Sequence, residues 1–421
     1  MWVPWGSGRY TNTARPTVTG TPGGGSTQPA LAFILIVRGT VLGIAGTDLV
    51  LPAVPSLPAV LGGSPEQAQL VLAAFVAGTA IGLLLFGELG ARFDQRWLLA
   101  GSLAAYGLIS AAASLAPSLD ALVWLRLVQG AAGSAAAVFA PGMIRLLFGG
   151  DRAVRALGLL GSIESLVPAL APIAGVWLLA RFGWQASFDV VAMLSLALAV
   201  LVVAMRGRLP SAPPPPADGS YAALLRDRIF LRYALSQACA LGGLLVFVFG
   251  APAVILGAMA GSLADFVTMQ IVGIAFFILG ANLSSWAAGR LGVERTIAGG
   301  TALSAAGMLA ILAYGLAGGR EPWMLVILTV PVNVGFGLRG PTGFMRAVVA
   351  SRGDDARGAA LVVLAILLMA AAGTAAAAPF ITKGLAALGG VAAAISCGAV
   401  LCLALLPHLA EEAVPATEEP T

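Results

Sequence analysis

The sequence predicts an all-α polytopic membrane protein, with twelve transmembrane helices arranged as two six-helix pseudo-repeats. Three observations predict it. Of the 421 residues, 59% are hydrophobic and only 10% are charged, with a mean hydropathy of +0.95. A soluble chain carries about a quarter charged residues, so the outer surface of this one must be covered by lipid. Apolar runs long enough to cross a bilayer recur along the whole chain. The basic residues gather in alternate gaps between those runs, as the positive-inside rule requires.

Residues 1–29, rich in Gly, Thr, Ser and Pro, read as a disordered leader. The apolar run that follows is too long for the core of a cleaved signal peptide. A first bundle occupies residues 30–206, with spans expected at Leu31–Val54, Gln67–Leu89, Leu98–Leu115, Leu119–Leu147, Val154–Leu179 and Ala186–Met205. Residues 207–228 form a polar connector holding Pro213-Pro214-Pro215-Pro216, which favours extended, solvated chain. A second bundle occupies residues 229–407, with spans at Phe230–Leu256, Phe266–Ala288, Ile297–Leu316, Trp323–Val348, Ala359–Ile381 and Leu388–Leu406, and an acidic tail covers 408–421.

With the N-terminus inside, 17 of the 23 Lys and Arg residues fall on the inner side. Three (Arg181, Arg320, Lys383) fall outside, and three (Arg38, Arg126, Arg339) lie within spans. That bias places both termini in the cytoplasm of a multi-pass protein of the cell (inner) membrane. The two halves echo each other. Pro52-Ala53-Val54 ends span 1 and Pro252-Ala253-Val254 ends span 7; Arg92 and Arg96 follow span 2 as Arg290 and Arg295 follow span 8. A six-span repeat places a substrate cavity between the halves near the midplane.

Several function classes are excluded. The net charge of +4 sits in short loops and signals no nucleic acid. Cys239, Cys397 and Cys402 lie in apolar segments without a CxxC spacing, so neither metal nor disulfide is expected. The lone histidine, His408, follows the last span. With no nucleophile–base motif, metal-ligand motif or Walker motif, the chain reads as no enzyme, with no cofactor and no ATP drive.

Four stretches carry a resemblance. Gly87-Glu88-Leu89-Gly90-Ala91-Arg92-Phe93-Asp94-Gln95-Arg96 resembles the loop 2–3 motif G-x-L-x-D-R-x-G-R-R of the major facilitator superfamily, and Arg126-Leu127-Val128-Gln129-Gly130 resembles its span-4 motif R-x-x-Q-G. Ala171-Pro172-Ile173-Ala174-Gly175 is similar to the span-5 signature of the drug–proton antiporters. Thr47-Asp48-Leu49-Val50-Leu51-Pro52-Ala53-Val54-Pro55 is similar to the bicyclomycin-resistance branch. The resemblance implies transport by alternating access, with Gly87, Arg92, Asp94, Arg96, Gln129, Gly130, Pro168, Pro172 and Gly175 in gating or motif roles. In the family the loop 2–3 acid helps to hold the inner gate. Here that position is Ala91, which puts the latch in doubt and makes Asp94 its candidate substitute.

Three charged residues within spans are candidates for proton coupling. Asp48 precedes the break at Pro52, where low dielectric disfavours its charge and a nearby cation favours it. Arg126 shares a helix face with Gln129, Gly130 and Gly133. It can donate to backbone carbonyls near Pro52 or pair with Asp48, and a purely structural clamp is its bland reading. In the resembled family this arginine is tied to proton movement. Glu164 forms one stripe with Pro168, Pro172 and Gly175, whose freed carbonyls keep it away from lipid; a packing surface or bend is the alternative. Gln237, Gln270, Asn282 and Arg339 are the substrate-cavity candidates, the cavity suiting an amphipathic solute. Arg339, in a stretch expected to break span 10, either holds an anionic group or, as the favoured reading, snorkels to the inner interface.

The reading is a proton-coupled exporter of small amphipathic compounds, a monomer in the bilayer, with an uptake symporter or a transporter-like sensor as rivals. Its topology is open to test. A cysteine at position 261, in a background without native cysteines, is expected to be labelled from outside and one at position 217 is not; the reverse pattern would overturn the orientation.

Overall fold

The computed structural model describes residues 27–210 and 219–409. Most of the leader, the Pro213–Pro216 run and nearly all of the acidic tail lie outside these. Among the described residues twelve helical segments are long and apolar enough to cross a membrane. The first six are Pro29–Leu61, Gln67–Arg92, Gln95–Ser114, Leu119–Phe148, Gly150–Phe182 and Gln185–Ala204. The last six are Arg228–Ala258, Ala264–Leu291, Val293–Leu316, Pro322–Ala350, Asp355–Ile381 and Leu385–Leu405. They are spans 1 to 12 below.

Polar caps start several of them. The Ser64 hydroxyl accepts from the Gln67 N–H while the Gln67 side chain accepts from the Ser64 N–H, a capping box repeated by Ser262 and Asp265. Ser118, Asp94 and Asp227 cap spans 4, 3 and 7. Proline breaks two spans where the sequence places them. The α-helix of span 1 ends at Asp48 and a 3₁₀ turn runs Leu51–Ser56; span 7 ends in a π-helical turn, Val254–Ala258, just after Pro252. Span 10 departs from expectation. It is one continuous helix from Pro322 to Ala350, through Pro331 and Pro341. A proline interrupts one ladder bond, and packing on both sides holds the helix together.

The repeat is visible in the packing. Span 2 packs on span 4 as span 8 packs on span 10, and span 3 on span 6 as span 9 on span 12. Each 2–4-type contact is made by facing glycines. A Cβ at Gly78 or Gly130 would collide with the backbone of the opposite helix, at Leu127 and Phe75; Gly280 and Gly337 stand in the same relation to Val334 and Phe277. Bare backbone at the crossing lets the helices approach closely, which in lipid replaces hydrophobic driving force with dispersion.

The two halves meet mainly at one end. It is the end that carries Arg92, Arg96, Arg145, Arg152, Arg155 and Arg357, and it is called the basic end here. There one buried core contains residues of both halves, with Phe86, Phe139 and Met143 against Met345, Ala356 and Ala360. At the far end each half has its own core, around Val54, Leu57 and Phe188 in one and Phe247, Ile255 and Leu388 in the other.

Gly78→Ala and Gly130→Ala are expected to lower stability by about 1–3 kcal/mol, since each forces a methyl group into a neighbouring backbone. Gly101→Ala, with open space around it, is expected to be neutral. Thermal unfolding in detergent compares the three; equal melting of all would remove the close-approach argument.

Candidate functional site

The break in span 1 creates the first site. The Ala53 N–H bonds the Val50 carbonyl at 2.9 Å in the 3₁₀ turn, which leaves the Leu49 carbonyl free. Ser187 of span 6 donates to it at 2.9 Å. One turn earlier, the Gly46 carbonyl accepts from Arg126 Nη1 at 3.0 Å. Arg126 also donates to the Val71 carbonyl of span 2 at 3.3 Å and to Gln129 Oε1 at 2.8 Å. Gln129 Nε2 in turn donates to Ser110 of span 3 at 2.6 Å. The guanidinium lies over the Phe75 ring, 4.2 Å from its centroid, a favourable cation–π placement once water is removed. Arg126 and Gln129 are both fully buried. One arginine thus ties together spans 1, 2 and 4, and Gly130 provides the room.

Of the two partners the sequence offers Arg126, the structure brings it the backbone. Among the described residues Asp48 makes no ion pair. Its Oδ2 is buried with no hydrogen-bond partner, and so is Nη2 of Arg126. Asp48 sits two residues beyond the carbonyl that Arg126 holds, at the end of the same helix.

Glu164 stands apart from this pair. It is half-buried on span 5. One turn before it, a Cβ at Gly161 would lie 3.6 Å from Phe277 of span 8. Along its stripe Pro168 is exposed, Pro172 is half-buried, and Gly175 packs against Leu49 and Pro52 of span 1.

Arg339 corrects an expectation. It does not reach the end of the bundle but is fully buried, donating to the Ser236 carbonyl at 3.1 Å, to Ser236 Oγ at 3.1 Å and to Gln237 Oε1 at 2.8 Å. A helix with close neighbours on all sides offers oxygens nearer than the interface. It clamps span 10 to span 7 as Arg126 clamps span 4 to span 1. Gln237 is buried in the same clamp, so neither residue presents a free face to a cavity. Of the other two cavity candidates, Gln270 is half-buried and Asn282 exposed. Asn282 donates to the Ile278 carbonyl at 2.7 Å and reaches Ser162 of span 5 at 3.5 Å. A cavity of about 180 Å³ lies between the far ends of spans 7, 11 and 12, lined by Val246, Phe249, Ile381 and Leu388, with Thr374 its one polar side chain.

The basic end holds the residues that sequence reasoning missed. Asp94 does not act across the halves. It caps span 3 and pairs with Arg96 at 2.7 Å in its own loop, and those Arg96 hydrogen bonds hold its carboxyl below the usual carboxylate range. Arg92 is largely exposed and pairs with Glu88. The bridges between halves are Glu88 with Arg357 at 2.7 Å, and Arg145 with Asp355. A signal for them was present. Asp354-Asp355-Ala356-Arg357 puts two acids in a gap otherwise rich in arginine. Gly87 leaves space for Ala360 of span 11 and for the Tyr221 hydroxyl.

The profile of the Major Facilitator Superfamily matches residues 36–378. The chain belongs to the Major Facilitator Superfamily. It is similar to a chloramphenicol resistance protein of Pseudomonas aeruginosa, 32% identical over 160 residues, which is 38% of each chain. It is also similar to a bicyclomycin resistance protein homolog of Haemophilus influenzae, 26% identical over 277 residues, covering 63% of this chain and 69% of that one. The chain spans about half the length of the relatives it matches at the highest identity, 58% and 38%. The superfamily fold is shared with the crystal structure of FucP in the outward conformation, at a TM-score of 0.69 and 17% identity, over 90% of this chain and 99% of that one. The span-4 and loop 2–3 resemblances therefore lie in a superfamily member.

Arg126→Ala would leave the Gly46 and Val71 carbonyls and the Gln129 amide without their donor. A loss of about 1–3 kcal/mol per stranded buried group is the expected scale, and Arg126→Lys, which can still meet one of them, is expected to melt between the alanine variant and the parent. Thermal unfolding in detergent ranks the three; an alanine variant as stable as the parent would mean that the clamp is not structural.

Proposed function

We propose that this chain is a proton-coupled secondary transporter that exports small amphipathic compounds by alternating access. The observation that carries the coupling is Asp48, the last residue of the span 1 α-helix, whose buried Oδ2 has no hydrogen-bond partner. A carboxylate is favoured as an anion when a cation approaches it and disfavoured when the cation withdraws, and Arg126 is the cation that span 4 could bring toward span 1. A small displacement of span 1 against span 4 would therefore change whether Asp48 holds a proton. A shift of one pKa unit corresponds to about 1.4 kcal/mol, within the reach of a modest helix movement. Glu164 is the second carrier candidate.

The substrate class rests on two supports. Relatives are named for resistance to chloramphenicol and bicyclomycin. With Gln237 and Arg339 engaged in their clamp, the far-end cavity of spans 7, 11 and 12 is apolar apart from Thr374, which suits an aromatic or branched alkyl group better than a sugar.

The orientation inferred from the basic bias places the Arg-rich end, both termini and the connector in the cytoplasm of the inner membrane, with residues 30–206 and 229–407 as the two moving bodies. In that frame the halves are fastened on the cytoplasmic side and the molecule faces outward. The protein works in the bilayer as a monomer, with the small molecule and the proton as its partners.

Asp48→Asn is expected to insert and fold while losing proton-driven substrate movement. Arg126→Lys is expected to weaken coupling less than Arg126→Ala, because a charge remains where the planar fork is lost. Proton release or uptake on substrate addition is measured in proteoliposomes. Full substrate-linked proton flux in Asp48→Asn would rule out Asp48 as the carrier and move the role to Glu164.

A further inference from the structure

The family's loop 2–3 acid is absent at Ala91, and Asp94 is occupied within its own loop, yet the basic end is closed. What closes it converges on Arg357. This residue begins span 11 and its side chain is only 7% exposed. Its Nε donates to Glu88 of span 2 at 2.7 Å, and its Nη1 donates to Asp354 at 2.8 Å and to the Gly219 carbonyl at 3.0 Å. Its guanidinium also lies 6.0 Å from the Tyr221 ring centroid. Tyr221 reaches the other way and donates from its hydroxyl to the Leu84 carbonyl of span 2 at 2.6 Å.

Gly219 and Tyr221 belong to the connector, which the sequence reads as solvated chain. The structure corrects that for this part. Ser220 caps a short helix, Tyr221–Arg226, by accepting from the Ala223 N–H at 3.1 Å. Leu224 of this helix is buried against Phe230, Tyr233 and Ala347 of the second half. The segment is thus anchored on the second half and lays its tyrosine on the first.

Glu88 suits the task for a geometric reason. It lies three residues before Ala91, on the same face of span 2 and about one turn further into the bundle. Its carboxylate divides between the exposed Arg92 and the buried Arg357. Gly87, next to it, is where a side chain would strike the Tyr221 hydroxyl and Ala360. A glycine and an acid of span 2, a tyrosine of the connector and an arginine of span 11 therefore complete one interlock.

We propose that Glu88 and the Gly219–Tyr221 strap form the latch of the basic-end gate, with Arg357 as its hub, in place of the loop 2–3 acid missing at Ala91. The halves then cannot part at that end unless the connector lets go of span 2, so the linker is a working part of the gate. The proposal rests on the alternating-access reading, and its test reads conformation alone.

Spin labels are attached at positions 155 and 290, exposed on spans 5 and 8 at the basic end, in a background without native cysteines, and their distance distribution is measured by double electron–electron resonance. E88Q is expected to shift the closed-to-open ratio about tenfold toward open, equivalent to ~1.4 kcal/mol. Y221F, which keeps the ring over Arg357 and loses only the bond to span 2, is expected to shift it in the same direction by a smaller factor. D94N is expected to leave it at the parent value. A parent that samples both distances, with E88Q and Y221F unchanged, would overturn the latch and leave the transport reading standing. An opening seen in D94N but not in E88Q would also overturn it, by returning the role to the loop acid.

Discussion

A guanidinium shut away from water must be met by oxygen atoms of the protein, because an unmet charge in an apolar slab costs several kcal/mol. Arg126 and Arg339 are both fully buried, and meeting that requirement shapes each half of the molecule. Arg126 collects the Gly46 and Val71 carbonyls and Gln129. Arg339 collects Ser236 and Gln237. In each half the fourth span is thereby pinned to the first. The close glycine crossings between spans 2 and 4 and between spans 8 and 10 bring the backbones near enough for this to work.

The two clamps are equivalent in topology but not in position. Gly46 lies two residues before the α-helix of span 1 ends at Asp48, near the far end of the bundle, whereas Ser236 lies eight residues after the start of span 7, toward the basic end. Only the first clamp takes a carbonyl from a helix whose last residue is an acid. Where Pro52 and Pro55 stop the α-helix, carbonyls lose their ladder partners and side chains from spans 4 and 6 supply donors instead. Asp48 is the last residue before that irregular backbone, and its Oδ2 is left without a hydrogen-bond partner.

Charge pairing at the basic end follows another rule. Here the residues border water, and single exposed pairs contribute little. Arg145–Asp355 and Glu88–Arg357 gain from being partly buried under a shared apolar core of Phe139, Met345 and Ala360. The core holds the halves together and the ion pairs set their register, so the closed end is one that a change in a few contacts can release.

Much of this was legible in the sequence. Hydropathy and the alternation of basic residues are properties of a chain read locally, and they place twelve spans in two halves because lipid allows few alternatives to a helix. The break at Pro52, the buried role of Arg126 and its shared face with Gln129 and Gly130 follow from proline chemistry and helical spacing. What only the tertiary structure decided is which oxygen each cation meets. Arg126 meets the backbone and not Asp48, Arg339 turns inward instead of snorkelling, and Glu88 acts across the halves where Asp94 stays local. A long cationic side chain spans several ångströms and chooses among partners hundreds of residues apart in sequence. Glu88 and Arg357 are separated by 269 positions. No periodicity encodes that distance; it exists only once the helices are packed.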